Sequence, residues 1–193
     1  MADKFPDFLD NSAEFVAPKL LGCYLFKKLD NGQLLKFKIV EVEAYDQSDE
    51  ASHSYKGASV KNNVMFGQSG HLYVYFTYGM HYCCNIVTDL PGTGSAVLIR
   101  ALEPDKNTQS YLAKLYPDRK PSLLTNGPAK LCKVLGIDKT LNGHNLRANP
   151  LILSAGETIS ASNIVQTTRV GISRGVDVPW RFYIKDNIFV SKK

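Results

Sequence analysis

The chain has no apolar run approaching the roughly 20 residues that span a bilayer, and no internal repeat, low-complexity tract or long linker. Its opening stretch, MADKFPDFLDNSAEF, carries acids and no apolar core, so it does not read as a secretory signal. A cytoplasmic location without membrane contact is the expectation. Cysteine is scarce: Cys23, Cys83, Cys84 and Cys132 form neither a Cys-x-x-Cys pair nor a zinc spacing. Cys83 and Cys84 are adjacent in a strand-like run and should point to opposite faces. Reduced, buried thiols are expected, not disulfides or metal ligands. Histidine is equally sparse, and nothing near His71 or His81 completes a metal set, which leaves both as structural or solvent-facing residues.

The 193 residues, 44% hydrophobic and 21% charged, fit one folded domain over residues 1–193 that buries a core without staples. Disorder is expected only in residues 1–12. The net charge of +5 is a mild bias toward polyanions and decides nothing alone.

Asn11 and Glu14 have capping-box spacing ahead of an apolar helical pattern that Gly22 would end, with Pro18 an awkward fit outside the first turn. Residues 23–29 and 34–44 read as strands joined by the Asp30-Asn31-Gly32 turn. The polar loop at 46–70 is long enough to suggest a functional role. Strands are expected at 72–76 and 82–87, flanking a Thr77-Tyr78-Gly79 turn, and at 96–101, closed by Glu103-Pro104. Helices are expected at 108–115 and at 128–135, the latter with Pro128 at its first position and Gly136 behind it. The C-terminal third alternates short strands and turns. The fold class is α+β: a mainly antiparallel, curved sheet with helices packed around it.

Two clusters carry chemistry. Glu41 and Glu43 share one strand face by the period of two, with Asp46 just beyond. On pattern alone they are solvated carboxylates at an exposed strand edge. Water activation by one acid is a second reading, and a divalent-metal site with His53 a third. Between His71 and Asn85 lie Tyr73, Tyr75, Tyr78 and Tyr82, with Tyr73 and Tyr75 on one face and Tyr78 on the turn beside Gly79. Four phenols in ten residues are hard to absorb into a core, because each buried hydroxyl needs a partner. Stacked on a nucleobase, such a ring contributes about 1–3 kcal/mol, and a turn-borne aromatic suits a wedge that unstacks a duplex. His53 could donate to a phosphate or a base edge. Arg100 ends an apolar strand and should pair with an acid, Glu43 being the expected partner. Lys56, Lys61, Lys130, Lys133, Arg169, Arg174 and Arg181 are candidate phosphate contacts.

With these residues in view, the chain closely resembles the 3-methyladenine DNA glycosylase family of the alkyladenine (methylpurine) type. The resemblance rests on VEAYDQSDEASHSYKG from Val42, NNVMFGQSGHLYVYFTYGMHYCCNIV from Asn62, AVLIRALEP from Ala96, NGPAKLCKVLGI from Asn126 and RVGISRGVDVPWRFYI from Arg169. These segments run in family order from about residue 20 to residue 191, which is far more specific than one short motif. The resemblance implies flipping of an alkylated or deaminated purine out of double-stranded DNA and hydrolysis of its N-glycosidic bond. It places the general base on Glu43, with Arg100 helping to hold the attacking water. The base-stacking rings fall on Tyr45 and Tyr75, with His53 on the opposite face of the pocket. Asn85 becomes a floor residue that crowds a guanine amino group, backbone around Val170 and Ile172 lines the pocket, and Tyr78 intercalates. No cofactor, metal or lysine nucleophile is implied, and a monomer is expected. Two other classes stay open: a non-catalytic nucleic-acid-binding module, and a metal-dependent nuclease built on Glu41, Glu43, Asp46 and His53.

Overall fold

The computed structural model describes residues 4–77 and 79–191. Its strands are β1 (Tyr24–Lys28), β2 (Leu34–Asp46), β3 (Leu72–Thr77), β4 (His81–Val87), β5 (Ser95–Pro104), β6 (Leu151–Ser154), β7 (Ile164–Thr167) and β8 (Arg181–Ile184). Its α-helices are α1 (Ala13–Leu20), α2 (Lys106–Leu115) and α3 (Pro128–Leu135). All strand pairings are antiparallel, in the order β3-β4-β5-β2-β1-β6, with β8 added to β2 and β7 to β8. The α+β expectation is met. None of the helices among the described residues is long and apolar enough to cross a membrane.

The spine is β2, a strand of 13 residues. Its first half pairs with β1 through the turn read from sequence, where Gly32 takes a positive φ of 84° and its N–H reaches Leu29 O at 2.9 Å. Its second half lies between β5 and β8. Val42 and Ala44 point into the main core with Phe37, Ile39 and Ile99, under α1 and α3. Glu41 and Glu43 point to the other face, and both have zero exposure. The exposed-edge reading is therefore wrong: the strand is central, because chain segments distant in sequence cover both of its edges.

Register along β2 and β5 slips twice. Ile39 opposes Leu102, Glu41 opposes Ala101, and Val42 opposes Ile99, so Val40 and Arg100 are each passed over. Such a bulge bends the ladder and re-aims side chains. Elsewhere the register is regular and has a direct consequence: Tyr73, Asn85, Leu98 and Glu43 oppose one another in turn across β3, β4, β5 and β2. Directly opposed residues share a face, so four strands contribute one side chain each to a single row.

Several boundaries move. The helix expected at 108–115 begins earlier, because Asp105 caps it by accepting from Thr108 N at 2.8 Å. The strand expected at 96–101 continues to Pro104. α3 matches its expected limits, closed by Gly136 in the left-handed region. The capping box of α1 does not form: Asn11 Nδ2 donates to Phe8 O instead, and Ser12 occupies the N-cap without a side-chain bond. A distant residue takes over the task. Ser95 Oγ, at the start of β5, accepts from Ala13 N at 3.1 Å and pairs with Thr88 Oγ1 at 2.8 Å. Of the N-terminal dozen, residues 1–3 lie outside the described residues; further along, Leu9 is buried in the core, Leu9 O accepts from Asp89 N, and Phe5 packs under the guanidinium of Arg147.

Ser95→Ala should strand the buried Ala13 N–H and destabilise the protein by about 1–3 kcal/mol, read as a lower midpoint in chemical denaturation with an unchanged slope.

Candidate active site

On the sheet face carrying Glu43 lies a cavity of about 480 Å³, inside the range of roughly 300–1,000 Å³ common for small-molecule sites. Its floor is the cross-strand row of Tyr73, Asn85, Leu98 and Glu43, and Tyr75, Cys83 and Arg100 lie two residues further along their strands on the same face. The 46–70 loop supplies Glu50, Ala51, His53 and Met65, and the 170–174 segment closes the opposite side. Exposed Glu50, Ser173 and Arg174 mark a mouth open to solvent. Every described residue assigned a site role by the resemblance lines this one cavity: Glu43, Tyr45, His53, Tyr75, Asn85, Arg100, Val170 and Ile172. Tyr78, assigned intercalation, lies outside the described residues.

Glu43 is held by three donors. Its Oε1 accepts from Val170 N at 2.7 Å, and its Oε2 from Tyr45 Oη at 2.8 Å and Arg100 Nη1 at 3.3 Å. The expected Glu43–Arg100 pair is present, but Arg100 does not belong to Glu43 alone: its Nε donates to Glu41 Oε1 at 3.1 Å. Burial works against the Arg100 charge, yet the carboxylates of Glu43 and Glu41 outweigh it and raise its pKa above the ordinary arginine value. Tyr45 is pushed well above the usual phenol range, first by burial and then by the Glu43 carboxylate. It therefore stays a neutral donor, which is the form its bond to Glu43 requires.

The aromatic wall differs in one respect from expectation. His53 does not face Tyr75 across the pocket: the two rings pack edge to face, with centroids 4.5 Å apart. Its Nδ1 also bonds Tyr73 Oη at 2.9 Å, which gives the buried phenol its partner. Burial lowers the pKa of His53 and pushes Tyr73 up to about 12. The three rings form one cluster, while Tyr45 packs separately over the Arg169 guanidinium at 4.6 Å. Asn85 is buried, with Nδ2 spent on Tyr73 O at 3.2 Å. Cys83 is a buried free thiol raised to about 11 by burial.

Two candidate phosphate contacts are structural instead. Arg169 is buried, bonded to both carboxylate oxygens of Asp49 and to Ala44 O at 3.0 Å. Arg181 is buried and donates from Nε to Glu41 Oε1 at 2.8 Å. Lys56, Lys61, Lys130, Lys133 and Arg174 are exposed. The acids of the nuclease reading do not converge: Glu41 and Glu43 are committed to guanidinium groups, Asp46 turns to Ser48, and His53 to Tyr73. Among the described residues no group of three or more His, Cys, Asp or Glu is arranged to hold a metal ion.

The Asp49–Arg169 pair escaped the sequence reading. It ties the 46–70 loop to the segment carrying Val170, and so fixes the donor to Glu43. The only local hint was an arginine directly preceding an apolar, glycine-bearing stretch. Asp49→Ala should leave that guanidinium buried and uncompensated, destabilising the fold by about 3–5 kcal/mol, as measured by denaturant unfolding.

Comparison with known proteins bears on the family. The family model described as Methylpurine-DNA glycosylase matches residues 7–188. A protein of Carboxydothermus hydrogenoformans is 51% identical over 179 residues, covering 92% of this chain and 93% of its own length. Relatives from Methanoculleus marisnigri and Francisella tularensis are 44% and 48% identical, covering 96% and 92% of this chain and 97% and 92% of theirs. All three bear the name "Putative 3-methyladenine DNA glycosylase". A match of that extent, on a chain whose buried glutamate and tyrosines line one open cavity, shows that it belongs to the methylpurine-DNA glycosylase family, whose members are hydrolases of DNA repair.

Proposed function

We propose that the protein is a monofunctional glycosylase that rotates an alkylated purine, of the 3-methyladenine or 7-methylguanine type, out of duplex DNA and hydrolyses its N-glycosidic bond with a water activated by Glu43. The observation that carries this reading is the setting of Glu43. An ionised carboxylate offers about four acceptor positions, and three are occupied by Val170 N, Tyr45 Oη and Arg100 Nη1. One remains for a water. Glu43 removes a proton from that water as its oxygen bonds to C1′, and the electrons of the breaking bond leave with the base nitrogen. The sugar passes through an oxocarbenium-like state, which a carboxylate beside C1′ also stabilises.

Purines alkylated at N3 or N7 are cationic, which makes them better leaving groups. Their charge strengthens packing against Tyr45 and Tyr75 by about 0.5–2 kcal/mol per favourable contact. His53, seated on Tyr75, presents a polar edge to the base, and Asn85 on the floor crowds the amino group of an undamaged guanine. A damaged base also stacks or pairs less well, so it flips at lower cost. We assign the wedge to Tyr78. Phe76 and Met80, on either side of it, are 56% and 70% exposed, and apolar surface at a hairpin suits insertion between base steps. Lys56, Lys61, Lys130, Lys133 and Arg174 are the exposed cations available to phosphates. The enzyme works in this reading as a monomer in the cytoplasm, without cofactor, metal or a strand-cleaving lyase step.

The test is release of free base from methylated duplex under single-turnover conditions, read across a panel of lesions. Glu43→Gln should lower the rate at least about 100-fold while retaining duplex binding; an equal rate would reject the assignment. Tyr78→Ala should weaken duplex binding and slow excision with the fold intact, and unchanged kinetics would remove the wedge role.

A further inference from the structure

The guanidinium of Arg100 has three nitrogens, and only Nη1 meets a group of the cavity, at Glu43 Oε2. The other two are held from behind. Nε donates to Glu41 Oε1 at 3.1 Å, and Nη2 to Ser191 Oγ at a longer 3.5 Å. Glu41 is itself held by the C-terminal segment: its Oε2 accepts from Ser191 N at 2.6 Å, and its Oε1 from Ser191 Oγ at 2.9 Å and from Arg181 Nε at 2.8 Å. Glu41, Arg181 and Ser191 do not line the cavity. Any influence they have on the chemistry must pass through Arg100.

This arrangement is tied to the bulge. Passing over Val40 on β2 sends its side chain into a small cluster with Ala101 and Phe189, separate from the main core. Phe189 is also fixed through its N–H to Asn187 Oδ1 at 2.9 Å, while Asn187 Nδ2 donates to Glu103 Oε2 at 2.7 Å. The segment around residue 189 is therefore anchored without the side chain of Ser191, which is free to serve Glu41 and Arg100.

We propose that Ser191 and Glu41 are positioning residues for catalysis, locking Arg100 from behind so that its Nη1 holds Glu43 in the orientation that receives the water. The proposal rests on the glycosylase reading above. An arginine side chain has many rotamers, and one carboxylate contact does not fix its plane; contacts at Nε and Nη2 as well leave it a single pose. Glu41 also separates two cations, since Arg100 and Arg181 share its Oε1. Neutralising Glu41 would weaken the anchor on Arg100 Nε and loosen the plane from which Nη1 reaches Glu43.

Three readouts test this: single-turnover base release from methylated duplex, the duplex dissociation constant, and solvent exchange of the Arg100 Nε–H followed by NMR in the full chain. Ser191→Pro removes both the N–H and the hydroxyl, Ser191→Ala removes the hydroxyl alone, and Ser191→Thr keeps both donors. Ser191→Pro and Glu41→Gln should slow release roughly 10-fold, leave duplex binding unchanged and accelerate Arg100 Nε–H exchange. Ser191→Thr should match the wild type in all three. A merely structural role would lower the melting temperature without this pattern. Unchanged Arg100 exchange in Ser191→Pro overturns the proposal, as does accelerated exchange with an undiminished rate in an active wild type. Should Ser191→Pro not fold, Ser191→Ala decides the matter by the same exchange measurement. Accelerated exchange in the variants of a wild type that releases no base would uphold the positioning of Arg100 and defeat the glycosylase reading instead.

Discussion

One guanidinium shared between two fully buried carboxylates is the constraint around which this molecule is built. Arg100 can hold both Glu41 and Glu43 only because β5 and β2 slip in register beside it. Taking such charges out of water is costly, and that cost is offset only where geometry and further hydrogen bonds satisfy every remaining site. Here Arg181 and Ser191 supply those bonds to Glu41, and Tyr45 Oη and Val170 N supply all but one of them to Glu43, whose last acceptor position is the one assigned above to a water. The donors come from widely separated parts of the chain, so no single segment carries the network.

The cavity follows from the same sheet. A row of opposed residues across four strands gives it a rigid floor, and sites on paired strands are held more tightly than sites on loops. Loops supply the walls, and each is pinned. Asp49 and Arg169 join the two walls, and Ser54 Oγ ties the 46–70 loop to Gly94 O at 2.8 Å. The rigid floor and the open mouth of the cavity are thereby separated in space.

Much of the local structure was legible. The Asp30-Asn31-Gly32 turn, the limits of α3 between Pro128 and Gly136, and the alternation that puts Tyr73 with Tyr75 and Glu41 with Glu43 are all encoded by neighbours along the chain. The helix at Ala13 was misjudged in its cap, because the acceptor for its first amide is Ser95 and no local pattern points there. Arg169 and Arg181 read from sequence as candidate phosphate contacts for the same reason: their partners, Asp49 and Glu41, lie far away in sequence.

Strand periodicity and turn chemistry are written in side-chain type and short-range spacing, while the family, and with it the residues expected at the site, is written in matching segments spread along the whole chain. Long-range packing alone makes β2 central and not an edge, buries Glu41 and Glu43, seats His53 on Tyr75 and brings Ser191 to the ion network. Burial and pairing of charge depend on which distant segments cover a strand, and that is a property of the assembled sheet that no stretch of neighbouring residues contains.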